Sequence, residues 1–232
     1  MFQFAIIVIV VLILIADTIQ NSWTKSSLRR LIIIRDKSSL QDFIWFILSM
    51  IGLSKYIIFI VTFTFVYFFS KLVYYSPPTC HWNFFIQFIF VAFTNEFLFY
   101  WTHRMMHRWF WFAHKLHHSA TSFNGITVFR THPFEVALSS PILSLPAILV
   151  GVSPKIMAVW TIVRLCHDLL IHTEIKFIPL WISEWIIVDG KQHSQHHSNN
   201  PSDYNCKFAT VPIFDRIFGT WKELPDNIII GL

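Results

Sequence analysis

Residues 2–16, FQFAIIVIVVLILIA, carry no charge and only one strongly polar side chain, Gln3. A run of that kind is at home in lipid or in the dry interior of a helical bundle. It is not alone. Residues 43–75, 84–102, 135–150 and 155–171 are also strongly apolar, interrupted by few charges. Only 13% of the 232 residues are charged, where an average soluble domain has about 25%. That balance excludes a disordered chain, a nucleic-acid-binding tail and an ordinary water-soluble enzyme. The 25 Phe and 10 Trp suit a protein bathed in lipid, with rings at the headgroup level. The net charge of +5 then speaks to loop orientation and anionic lipid rather than to nucleic acid. Cys80, Cys166 and Cys206 are far apart, so neither a disulfide framework nor a thiolate metal site is indicated.

The expected fold is an all-α integral membrane protein with about four transmembrane helices plus an interfacial stretch. Residues 2–16 form a short first membrane helix, with an uncleaved signal anchor as the close alternative. The 17–42 loop holds Lys25, Arg29, Arg30, Arg35 and Lys37, which marks it as cytoplasmic. One crossing over about 56–75 leaves 43–54 at the interface, and Ser76-Pro77-Pro78 stops the helix. Further spans are predicted over about 84–102, 135–150 and 155–171, with Pro141 and Pro146 kinking the second of these. Counting crossings places most of the 18 Lys and Arg on the cytoplasmic side, and the histidines other than His81 fall toward that side too. Residues 1–83 read as an N-terminal membrane anchor region and 84–232 as the catalytic region, capped by a histidine-rich helical segment at the cytoplasmic face.

Twelve His nearly equal the 13 Asp and Glu, which is a strange allotment for so apolar a chain. Eight of them fall into three clusters: His103 and His107 as HxxxH, His114-Lys115-Leu116-His117-His118 as HxxHH, and His193-Ser194-Gln195-His196-His197 as HxxHH. Spacings of three and four place imidazoles on one helix face, where two ring nitrogens can meet one ion. Packed imidazoles repel one another if charged and waste hydrogen bonds if dry, so a structural reading fits them poorly. His81, isolated, reads as an ordinary hydrogen-bonded residue. A His-rich, Cys-free site suits Fe, Zn, Cu or Ni. Eight ligands exceed what one four-coordinate zinc can use, so two metals are expected. On one straight helix the rise from His103 to His118 would be about 22 Å, too far for a compact cluster. A bend is therefore expected around 108–113, with the third box folding back to meet the first two.

The runs Tyr100-Trp101-Thr102-His103-Arg104-Met105-Met106-His107, Trp111 to Ser119, Arg130-Thr131-His132-Pro133-Phe134-Glu135, the third box, and Phe214-Asp215-Arg216-Ile217-Phe218-Gly219-Thr220-Trp221 together resemble the fatty acid hydroxylase/sterol desaturase superfamily. The likeness runs in order over about 95–221. It implies a membrane-embedded, non-haem di-iron oxidoreductase that uses O2 and two electrons on a lipid C–H bond. It also implies that histidines between the second and third boxes complete the metal set. His167 and His172 are the candidates, and His172 is preferred because it stands at the expected end of its helix. His132, before Pro133, suits either positioning or ligation. Where the family often shows Asn-Tyr-Gly after the third box, this chain has Asp203-Tyr204-Asn205, and Phe214 stands where a Trp often precedes the late Asp.

Glu96 lies seven residues before His103 and so on the same helical face. It reads either as a carboxylate bonded to a ligand histidine or as the partner of another buried polar group. Asp189, four before His193, is a similar candidate. Arg104, Arg108 and Lys115 read as snorkelling side chains at the interface. The catalytic and metal set is thus His103, His107, His114, His117, His118, His193, His196 and His197, with His172 and His167 as further ligands, and Glu96, Asp189 and His132 in support. The expected cofactors are two Fe ions, with O2 as co-substrate. The expected partners are a lipid substrate, the membrane and an external electron donor (a redox protein), since no flavin, nicotinamide or haem fingerprint is seen. The rivals are a zinc-dependent membrane hydrolase, which would need a carboxylate base beside the metal, and a non-catalytic metal-binding membrane protein.

Overall fold

Short polar side chains and prolines set where the helices begin. Asp36 caps α2 (Lys37–Met50) by accepting from Ser39 N at 2.8 Å, and Asn83 caps α3 (Phe84–Trp109) by accepting from Ile86 N at 2.9 Å. Pro133 and Pro154 open α5 (Pro133–Val150) and α6 (Pro154–Ile171), where a missing N–H costs nothing. Gly151, at φ 72°, ends α5 in the left-handed conformation and turns the chain into α6. The remaining α-helices of six residues or more among the described residues are α1 (Phe2–Lys25), α4 (Trp111–His118), α7 (Leu180–Trp185), α8 (Gly190–His196) and α9 (Pro212–Ile217).

This computed structural model describes residues 2–34, 36–52, 81–176, 178–225 and 228–231, together with positions 56, 60, 61, 64 and 68. Among them the chain is helical, and the one β interaction is an isolated bridge between Ser198 and Ile230. The crossing expected over 56–75 lies outside the described residues except at those isolated positions. Among the described residues, three helices are long and apolar enough to cross a membrane: Gln3–Lys25, Phe84–Trp109 and Pro133–Val150. Of the apolar 18-residue stretch within each, no more than 22% is buried within the protein, so its apolar surface is left for lipid. The first is longer than the apolar run suggested and is broken at Ser22, at φ 63°. Helix α6 is a single rod of 18 residues that carries Lys155, Arg164 and Asp168, and it is not among the three.

Helix α3 is the centre of the packing. Val91 meets Ala147, Val152 and Ile156 near one end, and Tyr100 meets Phe208, Ala209 and Phe214 nearer the other. Helix α1 lies on α6 and the 3-10 turn Ile126–Phe129, with Ile6, Val10 and Leu14 against Ile126 and Leu169. Several polar ties, those of Arg30 and Arg130 among them, fasten this N-terminal part to the rest. Arg30 Nη2 donates to Phe123 O at 2.6 Å, and the fully buried Arg130 pairs with Asp42 of α2 at 3.2 Å. Burial pushes the Asp42 carboxyl up to about 6 against the opposing pull of Arg130.

Candidate metal centre

The helix carrying the first box stops at Trp109. Phe110 takes a non-helical conformation (φ −121°, ψ 32°), and α4 sets off in a new direction with the second box. The third box fills α8 and the residue after it. His172 stands directly after the last residue of α6. These four segments bring nine histidines together in two groups. His103, His107, His114, His118 and His196 form one, and His117, His172, His193 and His197 form the other, with one nitrogen of each residue within 4.8 Å of those of its group.

Hydrogen bonds fix which nitrogen bears the proton. His103 Nδ1 lies 2.7 Å from Phe208 O, and His196 Nδ1 lies 2.6 Å from Cys206 O. His114 Nδ1 lies 2.9 Å from Glu135 Oε1. A carbonyl or carboxylate oxygen can only accept, so each Nδ1 donates and each Nε2 bears a lone pair. Those Nε2 atoms nevertheless face one another: His103 Nε2 is 3.0 Å from both His114 Nε2 and His196 Nε2. The second group repeats the pattern. His172 Nδ1 donates to Asp168 O at 2.6 Å, while its Nε2 is 3.0 Å from His193 Nε2 and 3.3 Å from His117 Nε2.

Converging lone pairs repel unless a cation lies among them. Protons are a poor choice, because burial and the neighbouring imidazoles favour the neutral rings. Burial pushes His196 down to about 3 and His172 down to about 4, each partly offset by its carbonyl partner. The same causes, burial first, hold His117, His118, His193 and His197 well below the usual imidazole range. A metal fits better. Nitrogens about 2.1 Å from one ion and at right angles around it stand about 3.0 Å apart. Both ring nitrogens of His107, His118 and His197 are buried without a hydrogen-bond partner, which is costly unless one nitrogen of each ring binds an ion. The donor set therefore fits a metal ion in each group.

The other expected residues fall elsewhere. His167 is outside both groups, its Nε2 2.9 Å from Val188 O, because a spacing of five on α6 turns it well away from His172. Glu96 reaches no histidine. It pairs with Arg164 at 2.5 Å and with the Thr210 hydroxyl, and Arg164 in turn binds Asp168 at 3.0 Å. Asp189 is a helix cap, accepting from Gln192 N at 3.0 Å at the start of α8. His132 is also a cap, its Nδ1 accepting from Phe134 N at 3.1 Å.

Two supports escaped the sequence reading. One is Glu135, which orients His114; its signal was its place as the only acid in the apolar segment 133–150. The other is Asp215, fully buried, which accepts from Phe208 N and Ala209 N at 2.8 Å and from the Thr220 hydroxyl at 2.6 Å. It thereby fixes the strand of loop whose Phe208 carbonyl orients His103. Above the first group, Trp111 and Tyr204 stack at 4.8 Å, and each ring lies within 6.0 Å of His107 and His118.

Beside the histidines is a cavity of about 220 Å³, walled by Phe99 and Met106 of α3, Glu135 and Ser139 of α5, and Arg164 of α6. An apolar groove of about 670 Å³ runs outside it between Phe93, Phe97, Trp160, Val163 and Phe214. Arg164 and Thr210 line both, so one polar partition separates the groove from the metal-side cavity.

A sequence model of the fatty acid hydroxylase family matches residues 88–220. An alkylglycerol monooxygenase of Xenopus tropicalis is 31% identical over 161 residues, 67% of this chain and 34% of that protein. The alkylglycerol monooxygenase of Homo sapiens is 31% identical over 142 residues, 59% of this chain and 31% of its own. A putative methylsterol monooxygenase of Dictyostelium discoideum is 28% identical over 135 residues, 54% of this chain and 47% of its own. The chain thus spans from about a third to about a half of these relatives. No solved structure matches it.

Proposed function

The chain belongs to the fatty acid hydroxylase family, and we propose that it is a membrane-bound, O2-dependent lipid oxidoreductase holding two non-haem irons. The observation that carries this reading is the convergence of imidazole lone pairs in two adjoining groups beside a cavity. His103, His107, His114, His118 and His196 would hold one iron, and His117, His172, His193 and His197 the other. Bound there, the pair would supply O2 activation and the abstraction of hydrogen from a lipid C–H bond of a fatty acyl, sterol or alkylglycerol type.

The chain's own residues do the rest. The carbonyls of Phe208, Cys206 and Asp168 and the carboxylate of Glu135 hold the proton on Nδ1 and keep Nε2 free to ligate. The tails of the substrate lie in the apolar groove along Phe93, Phe97 and Phe214, and the reacting segment passes the Arg164–Glu96 partition into the cavity. Eight of the nine histidines are buried and His193 is half-buried, which keeps most bulk water from the reacting atoms. The boxes face the cytoplasm, on the side of Lys25, Arg29 and Arg30. Electrons arrive from an external redox protein.

The test is metal analysis of iron-reconstituted protein, followed by lipidomics of expressing cells against a His117→Ala, His118→Ala control. About two irons per chain and an O2-dependent change in the lipids that the control lacks are expected. A stoichiometric zinc protein active without O2 would overturn the proposal.

A further inference from the structure

One carboxylate in the cavity has half its bonding capacity unspent. Glu135 Oε1 takes the His114 Nδ1 proton at 2.9 Å, but Glu135 Oε2 is buried with no hydrogen-bond partner. Apart from the histidines and Ser139, the other polar side chains on the wall are engaged. Arg164 binds Glu96, Asp168 and Thr210. Thr102 donates to Phe99 O and Thr131 to Val128 O. Lys207 Nζ donates to Gln195 and lies over Trp221 at 4.6 Å. Ser139, one helical turn after Glu135, lines the same wall.

A buried acceptor left unpaired is costly, and the remedy here is a donor brought in from the cavity. We propose that Glu135 is a specificity-determining residue, whose Oε2 accepts a hydrogen bond from a hydroxyl group of the lipid substrate while Ser139 donates to that hydroxyl's oxygen. This rests on the function proposed above and narrows it: the substrate is a neutral lipid alcohol, not one whose polar end is a carboxylate or phosphate. A second anionic oxygen brought against Oε2 would meet repulsion, and the Arg164 guanidinium that could have offset it is already held by two carboxylates. The same residue also reports to the metal site, since its other oxygen positions a ligand histidine.

The experiment uses the metal-loaded full chain in lipid nanodiscs and matched probes: a long-chain alkylglycerol and a sterol, each with its hydroxyl free or capped as a methyl ether. Equilibrium binding and metal content are read together. The wild-type protein is expected to hold at least one free alcohol tenfold or more tighter than its methyl ether, about 1.4 kcal/mol. In Glu135→Gln the amide oxygen still accepts from His114, but an N–H2 donor replaces Oε2. Metal content should hold while the preference vanishes. Ser139→Ala, which touches no metal ligand by hydrogen bond, should lower the preference several-fold. Equal binding of alcohol and ether by the wild type overturns the inference, as does a preference that survives Glu135→Gln. If Glu135→Gln sheds its metal, Ser139→Ala decides, and an unchanged preference there overturns it. Binding of neither lipid by metal-loaded protein overturns the proposed function instead.

Discussion

The Nε2 atoms of His103 and His196, 93 residues apart in the sequence, lie 3.0 Å from each other, and each ring gives its Nδ1 proton to a backbone carbonyl. Two lone pairs so placed are held together by what they bind. Replacing His196 with Ala should therefore empty the five-histidine group and leave the four-histidine group filled. His172→Ala should do the reverse, since its Nε2 links His117 and His193. Elemental analysis of iron-reconstituted protein should read about two ions per chain in the wild type and about one in each variant. Two ions retained by either variant would mean that the grouping is wrong.

Asp215 acts at one remove. Its carboxylate receives two backbone N–H groups and the Thr220 hydroxyl, and so fixes the carbonyl that orients His103. Hydrogen bonds to a charged group contribute about 1.5–3 kcal/mol each. Asp215→Ala should cost at least about 3 kcal/mol, which in a chain of this size lowers the melting temperature by roughly 6–12 °C. Thermal melts in detergent check this. A shift of under a degree would show that the loop holds itself.

The three boxes were legible because ligand spacing on a helix is local: three and four residues bring imidazoles to one face whatever the fold. The break at Phe110 followed from length alone, since a straight helix would hold the first and second boxes too far apart. Residues five apart on a helix diverge, so His167 and His172 cannot both face the site from one helix, and the expected helix end is what favours His172. What stayed hidden depends on which loop returns to which ring. Nothing near His103 in the sequence announces the Phe208 carbonyl, and nothing near His114 announces Glu135, 21 residues on. Glu96 illustrates the limit from the other side. Its helical face aligned with His103, yet Arg164 on a neighbouring helix took the carboxylate.

Stability of the metal-free protein should depend on pH through the same rings. His196 is pushed down to about 3 and His172 to about 4, from an unfolded value near 6.5. Between those values the unfolded chain binds more protons than the native one, so stability is full above about 6.5 and is lost as the pH falls. Asp42 works in the opposite sense. Raised to about 6, it favours the native state at low pH and loses that contribution as the pH rises through 6. Four more buried histidines shift in the direction of His172, so the histidines outnumber it. The melting temperature of apoprotein should fall steadily from pH 7 to pH 4.5. Iron-loaded protein should hold its value further into acid, because the ion competes with protons for the same lone pairs. A flat apoprotein profile would contradict the neutral, inward-facing rings.

Gly190 tests how α8 is seated. A Cβ there would stand 2.4 Å from Thr173 O and 3.4 Å from Ile171 O, both backbone atoms at the end of α6. Backbone cannot turn aside as a side chain can, so α8 must move away. His193 lies three residues on, its Nε2 3.0 Å from His172 Nε2, and His197 belongs to the same group. The four-histidine group takes two of its ligands from this segment, whereas the five-histidine group takes only His196. The weaker loss should thus fall on the five-histidine group and the heavier on the four-histidine group. Helix propensity alone would make Gly190→Ala stabilising by up to about 1 kcal/mol, whereas overpacking costs about 1–3 kcal/mol. The expected result is a lower melting temperature and a metal content near one per chain. A protein that melts higher and keeps both ions would show that α8 is not wedged against α6.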